Sequence, residues 1–172
     1  EQNEFAAGGL AIDGTNDVII YPFDGSDIGA AAHTLDKNAT VKSLDWTHDG
    51  NYLAVGAGTT LYIVDDSLTD VTSVDCGQTI NDVKWDKNYR IVVGVNSGDN
   101  NEIQAYYLDG TNLIAVTEAS ASYSGDVKAV DWSGGSRKQV AGGTENETLH
   151  FGSTTYSTST SISMNTMYAM DI

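Results

Sequence analysis

Apolar and polar residues alternate along this chain in short runs that stop at turn residues. Val41-Lys42-Ser43-Leu44-Asp45-Trp46 alternates and ends in an aromatic. Thr47-His48-Asp49-Gly50 then reads as a turn, with the glycine free to take a positive φ. Tyr52 to Ala57 is apolar on both faces, as expected of a strand in the middle of a packed sheet. Gly58-Thr59-Thr60 turns again, Leu61 to Val64 is a third strand closed by Asp65-Asp66, and Val71 to Asp75 is a fourth. The pattern predicts a four-stranded antiparallel meander in about 40 residues. No stretch of helical length carries a 3.6-residue apolar period, and Ala30-Ala31-Ala32 is too short and too glycine-flanked to make a helix.

The meander recurs. Ile80-Asn81-Asp82-Val83-Lys84-Trp85 repeats the first strand, and so does Val127-Lys128-Ala129-Val130-Asp131-Trp132. The third unit continues with strands predicted over Arg90 to Val95, Ile103 to Leu108 and Leu113 to Thr117. The fourth continues with Val140 to Gly143, Thr148 to Phe151 and a Ser/Thr-rich strand near Tyr156 to Ser163. The first unit reads as Phe5 to Ala11, Val18 to Phe23 and a weaker strand near Ala30 to Leu35. Trp46, Trp85, Trp132 and Ile172 mark one position four times, at spacings of 39, 47 and 40 residues. A repeat of that length, made of short strands, means radial or linear stacking of one small unit.

The two ends hold complementary halves of the unit. Phe5-Ala6-Ala7-Gly8-Gly9 matches the second strand, Tyr52 to Gly56, and lacks the first. Met167-Tyr168-Ala169-Met170-Asp171-Ile172 matches the first strand and lacks the rest. The expected organisation is one domain, 1–172, with units at about 5–40, 41–78, 79–125 and 126–165, the first completed by 166–172. The segment with Met167, Ala169 and Met170 is expected to pair with the sheet that Phe5, Ala7 and Gly9 begin, within or between chains, since a naked strand edge invites pairing. Small residues at Ala54, Gly56, Gly94, Gly142 and Gly143 suit inner strands that converge on an axis. The rings of Trp46, Trp85 and Trp132 suit the gap between successive sheets.

On Val41 to Trp46, the turn Asp49-Gly50 and Tyr52-Leu53-Ala54-Val55-Gly56, the chain resembles the WD-repeat β-propeller family, over essentially its whole length. That resemblance implies an all-β propeller of four-stranded antiparallel blades, four of them here. The family's Gly-His pair before the first strand is replaced by Asn38-Ala39-Thr40, Gln78-Thr79 and Gly125-Asp126. Its Trp-Asp dipeptide is replaced by Phe23-Asp24, Val64-Asp65 and Leu108-Asp109. The family's buried Asp-His-Ser-Trp network therefore cannot be assembled. The resemblance also implies that the last strand closes the ring, and seven or eight blades is the family's usual number. Two chains forming an eight-bladed ring, a segment of a longer array, a closed four-blade ring and a strand-exchange polymer all stay open.

Composition narrows the partners. Eight Lys and Arg against 24 Asp and Glu give a net charge of −16. That leaves too few cations for a phosphate-tracking surface, so nucleic acid is not an expected partner. No run of 18 apolar residues is present, and no membrane insertion is expected. The acidity serves solubility and self-repulsion, or draws cations and basic partners. Cys76 is alone, which excludes an intrachain disulfide.

The search for chemistry returns little. His33, His48 and His150 fall in different units without ligand spacing, and Cys76 has no histidine nearby in sequence. No nucleophile elbow, phosphate loop or dinucleotide fingerprint occurs. No catalytic residue, cofactor or metal is assigned. The weak calcium candidates are Asp13, Asp17, Asp24, Asp27 and Asp99, in oxygen-rich loops whose residues are also what β-turns require. Asn38 and Asn146 head glycosylation sequons that matter in a secreted protein. Tyr62, Tyr106, Tyr107, Tyr123 and Tyr156 could stack on sugars or peptides, or pack within sheets. The expected function is a non-catalytic scaffold or assembly module. Its partner would be protein: self-association as a homodimer or polymer through the terminal strands, or neighbouring repeats of a longer chain. Extracellular or cell-surface placement is favoured over cytoplasmic. The alternative is a carbohydrate- or peptide-binding propeller lectin.

Overall fold

A computed structural model describes residues 3–98, 101–117, 120, 122, 125–132, 139–144, 148–153 and 160–163, the last three stretches as backbone. Among the described residues fifteen strands make four antiparallel sheets, each built from consecutive strands. The first sheet is β1 (Glu4–Gly8), β2 (Val18–Pro22) and β3 (His33–Leu35). The second is β4 (Val41–Trp46), β5 (Tyr52–Ala57), β6 (Thr60–Asp65) and β7 (Asp70–Asp75). The third is β8 (Ile80–Trp85), β9 (Arg90–Val95), β10 (Ile103–Asp109) and β11 (Asn112–Ala115). The fourth is β12 (Val127–Trp132), β13 (Gln139–Thr144), β14 (Thr148–Ser153) and β15 (Thr160–Ser163).

Within the described residues the strands predicted from periodicity are present, with shifted ends; the one expected at Met167 to Ile172 lies outside them. β1 stops at Gly8, short of Ala11, because Ala11 (φ 45) and Gly14 (φ 93) bend the chain and Asp17 Oδ1 accepts Ala11 N–H at 2.9 Å. β3 and β11 are shorter than their apolar runs. The turns at Gly50 (φ 74), Gly58 (φ 58) and Gly110 (φ 62) use the left-handed conformation that glycine tolerates.

β4, β8 and β12 are the inner strands, and each carries the same irregularity. Register with the second strand shifts between Val41 and Ser43, between Ile80 and Asp82, and between Val127 and Ala129. An extra residue at the second place bends the strand and turns its first and fourth residues to one side. Those two residues press on the preceding sheet. A Cβ on Gly8 would lie 2.6 Å from Val41 and 2.9 Å from Leu44; one on Gly56, 2.7 Å from Ile80 and 3.3 Å from Val83; one on Gly94, 2.8 Å from Val127 and 3.0 Å from Val130. None of the three glycines needs a special φ; each is there for close approach.

This equivalence corrects the N-terminal match by one residue. Gly8, not Gly9, corresponds to Gly56, so the in-register copy is Glu4 to Gly8. Strand side chains alternate faces, so a one-residue slip exchanges them. Ala6 and Gly8 therefore face the second sheet, where Ala6 packs with Val18, Ile20 and Leu53, and Phe5 and Ala7 face away from it.

Apolar layers fill the gaps between successive sheets. Val18, Ile20, Val41, Leu53 and Val55 join the first and second sheets; Ala54, Leu61, Ile63, Ile80, Val83 and Ile91 join the second and third. Val92, Ile103, Val127 and Val130 join the third and fourth. The tryptophans sit in these gaps, as their size requires. Trp85 is 8% and Trp132 6% exposed, and the Arg90 guanidinium lies 4.9 Å from the Trp132 ring centre.

Gly94→Ala should lower stability by about 1–3 kcal/mol, because the branched Val127 and Val130 cannot swing away from the new methyl. An unchanged urea midpoint would show that the seam between the third and fourth sheets is not close-packed at Gly94.

Candidate functional site

An inner strand has a neighbour on one edge only, so its other edge needs partners of a different kind. The preceding sheet provides them as side chains. At the third place of the inner strand, Ser43 Oγ accepts Val83 N–H (3.2 Å) and donates to Asp82 Oδ1 (2.7 Å). One sheet on, Asp82 Oδ2 accepts Val130 N–H at 2.9 Å. At the fifth place, Asp45 Oδ2 accepts Trp85 N–H at 2.6 Å, and Lys84 Nζ lies 3.5 Å from Asp45 Oδ1. Burial raises the Asp45 carboxyl above its usual value, against the pull of Trp85 N–H and of Lys84.

Lys84 holds the fifth place in the third sheet and cannot accept. There the Trp132 indole N–H donates to the Lys84 carbonyl at 2.9 Å, while Trp132 N–H turns to its own neighbour, Asp131, at 2.8 Å. The indole N–H of Trp85 has no partner among the described residues. At the second place, Lys42 Nζ donates to Asn81 Oδ1 (2.9 Å) and Asn81 Nδ2 to the Val127 carbonyl (3.0 Å).

The first sheet lacks this arrangement. β1 corresponds to β5 and β9, so its three strands have no inner member among the described residues. Phe5 is 44% exposed, whereas Leu53 and Ile91 at the same place are at 0%. The edge donors of β4 that match Val83 and Trp85 are Leu44 N–H and Trp46 N–H, and neither finds a side-chain acceptor among the described residues. A groove of about 440 Å³ opens where an inner strand on β1 would end, lined by Asn3, Glu4, Trp46, Asp49 and Asp66 among others. Trp46 is half-buried there, unlike its two counterparts.

Neither a family profile nor any curated protein matches the sequence. Solved structures do. Sqt1 of Chaetomium thermophilum, bound to the N-terminus of the ribosomal protein L10, superposes with a TM-score of 0.75 at 15% identity, over 97% of this chain and 48% of its own. The β-propeller domain of Myceliophteria thermophila Cps50 (Swd1) superposes at 0.69 with 11% identity, over 99% of this chain and 55% of its own. A chain of the mitotic checkpoint complex superposes at 0.68 with 20% identity, over 86% and 44%. The fold is that of a β-propeller. The chain spans about half the length of the propellers it matches.

Within this propeller the sequence-derived candidates separate clearly. Asp13 accepts the N–H groups of Thr15 (3.0 Å) and Asn16 (2.7 Å), and Asp24 those of Ser26 (2.9 Å) and Asp27 (2.8 Å). Asp27 takes part in that second turn through Ser26 Oγ at 3.4 Å. Asp17 is 1% exposed and accepts Ala11, Lys37 and Ala39 N–H at 2.9, 3.0 and 3.2 Å, fastening β1's loop to the β3–β4 connection. Burial alone would raise its carboxyl; the donors of Ala11, Ala39 and Lys37 outweigh it and hold it low. Among the described residues no group of three His, Cys, Asp or Glu side chains converges to hold a metal ion. Asp99 and Asn146 lie outside the described residues, as do Met167, Ala169, Met170, Tyr123 and Tyr156. Asn38 is exposed at φ 54 on the turn between β3 and β4.

Cys76 is buried beside Tyr106, Sγ to OH 3.9 Å, and burial pushes its thiol up to about 11. It is therefore held as the unreactive thiol at neutral pH. Tyr106 is buried and donates to Gln104 at 2.6 Å; Tyr62 lies under Lys37 Nζ, 4.2 Å from its ring centre. Tyr107, at 40%, is the most exposed of Tyr62, Tyr106 and Tyr107, and among the described residues stacking aromatics do not recur at one place from sheet to sheet. Sequence reasoning missed the seam acceptors Ser43, Asp45 and Asp82, although their signal was visible: polar residues at alternate places in otherwise apolar strands.

Asp82→Ala removes the acceptor of Ser43 Oγ, Val83 N–H and Val130 N–H together, and should cost about 2–4 kcal/mol. A cycle with Ser43→Ala should give a coupling of at least about 0.5 kcal/mol; strict additivity would mean the two seams do not communicate. Asp17 has a lowered carboxyl, so its contribution is complete above the unfolded value of about 3.9 and is lost as pH falls through the folded value. Asp17→Ala should lower stability at pH 7 and flatten its fall in acid; an acid limb as steep as in the parent would remove this role.

Proposed function

We propose that this chain is a non-catalytic protein-interaction scaffold that assembles with itself through its terminal strands, at a cell surface or outside the cell. The observation that carries the reading is the first sheet: β1 has no inner strand among the described residues, and Phe5 is exposed where its counterparts are sealed. Naked strand edges of this kind are templates for pairing. The segment containing Met167, Ala169 and Met170 repeats the inner-strand pattern of β12, so it is a matching occupant for the edge of β1 beside Phe5, Ala7 and Gly8. The chain spans about half the length of its structural neighbours, and in this reading two copies of four sheets each would close one eight-bladed ring. High acidity, few lysines and repeats without catalytic groups support a surface-exposed assembly role.

A peptide-binding reading has one observation in its favour. The Sqt1 propeller is bound to the N-terminus of a ribosomal protein. A short extended segment from another protein could use the same open edge.

Light scattering on the native protein should give about twice the 18.2 kDa of one chain, and deleting 166–172 should abolish that species. A particle of one-chain mass whose thermal unfolding is untouched by the deletion overturns the assembly reading. A truncated chain that still dimerises moves the interface elsewhere and overturns it equally.

A further inference from the structure

We infer that the inner edge of β4 is a recognition site for the strand that completes the first sheet: Trp46 N–H reads an acceptor side chain at that strand's fifth place, Asp171 in this chain. The inference rests on the assembly reading above, and names the chemistry by which the open sheet selects its occupant.

The chain carries its own templates. Three inner strands lie on three second strands in one register, with the third place opposite glycine and the sixth opposite an apolar residue: Ser43 with Gly56 and Trp46 with Leu53, Asp82 with Gly94 and Trp85 with Ile91, Ala129 with Gly143 and Trp132 with Val140. Carried to β1, that register sets Ala169 against Gly8, Met170 against Ala7, Asp171 against Ala6 and Ile172 against Phe5. The third place of the incoming strand is then alanine, as Ala129 is in β12, and offers nothing to Leu44 N–H. The fifth place is aspartate, as in β4, where Asp45 takes Trp85 N–H at 2.6 Å. An ionised acceptor makes the shorter and stronger bond of the two kinds seen in the seams.

The site also rejects wrong strands. Lysine at the fifth place leaves the next strand's N–H to find another partner, as Trp132 N–H does with Asp131. The third place faces the seam that Val41 and Leu44 already fill against Gly8, so a bulky side chain there would crowd them; Ser43, Asp82 and Ala129 at that place are all short. The preferred occupant is an extended segment that is apolar at its first, fourth and sixth places, small at its third and acidic at its fifth. Trp46, half-buried at the mouth of the groove with Asn3 and Glu4, would be covered by the end of the incoming strand.

Backbone amide exchange in the full chain tests this, read at Trp46 with Trp85 as the internal reference, because Asp45 and not Asp171 serves Trp85. Asp171→Ala should speed exchange at Trp46 and weaken self-association by about tenfold, a loss of about 1.4 kcal/mol, with Trp85 unchanged. Asp171→Asn, which keeps an acceptor oxygen, should retain most of both and guards against a folding defect in the alanine variant. Self-association with Trp46 exchange the same in all three proteins overturns the inference and leaves the assembly reading standing. A one-chain particle in which Asp171 still governs Trp46 exchange does the reverse. Rapid exchange at Trp46 in the unaltered protein overturns the inference outright.

Discussion

The inner strand of a radially stacked sheet has an edge that no strand can cover, and the rest of this molecule is arranged around that constraint. Edge N–H groups left bare cost about as much as lost hydrogen bonds and invite foreign strands. The remedy here is local and repeated. A one-residue bulge at the second place turns the first and fourth residues toward the preceding sheet, and glycine on that sheet lets them in. The same bend leaves the third and fifth residues facing the next sheet, where Ser43, Asp82 and Asp45 take its edge donors. Packing and polar satisfaction thus come from one distortion, and neither survives without the other.

Stacking of this kind makes each sheet dependent on its predecessor. Strand pairing is complete within a sheet, whereas sheets are joined by apolar layers and a few side-chain bonds. Stability is then close to a sum over sheets and seams, and a sheet without a predecessor is the weak point. The first sheet answers part of this by fastening its own loops: Asp17 gathers three backbone donors from both sides of the sheet, and Lys37, held over Tyr62, reaches Asp70 at 2.6 Å. Its far face has no such remedy, and Phe5 stands 44% exposed there where Leu53 and Ile91, at the same place in the next two sheets, are buried.

Much of this was legible in the sequence. Alternation, turn glycines and the three recurring tryptophans determine strand order and repeat length, because period-two patterning and left-handed turns are local properties. The register of β1 was not: Gly8-Gly9 offers two candidates one residue apart, and only the contact with Val41 and Leu44 in the next sheet decides between them. The bulge was invisible for a related reason, since Lys42, Asn81 and Lys128 share no chemistry beyond polarity. The seam acceptors sat in plain view as polar residues in apolar strands, but their meaning depends on a backbone donor 40 to 48 residues later in the chain.

The acidity of the chain also reads differently once its hydrogen bonds are known. Asp13, Asp24, Asp36, Asp49, Asp65, Asp75 and Asp86 each accept the N–H two residues ahead, the turn-forming habit of aspartate. Asp17, Asp45, Asp82 and Asp126 take backbone donors farther away. Eleven of the 24 acidic residues are thereby engaged in building turns and seams, so a net charge of −16 is in large part a by-product of turn chemistry with few lysines to offset it. Such charge keeps like surfaces apart. The self-association proposed above would therefore have to rest on a short-range, directional match, such as a strand edge with matched acceptors, strong enough to outweigh that repulsion at contact.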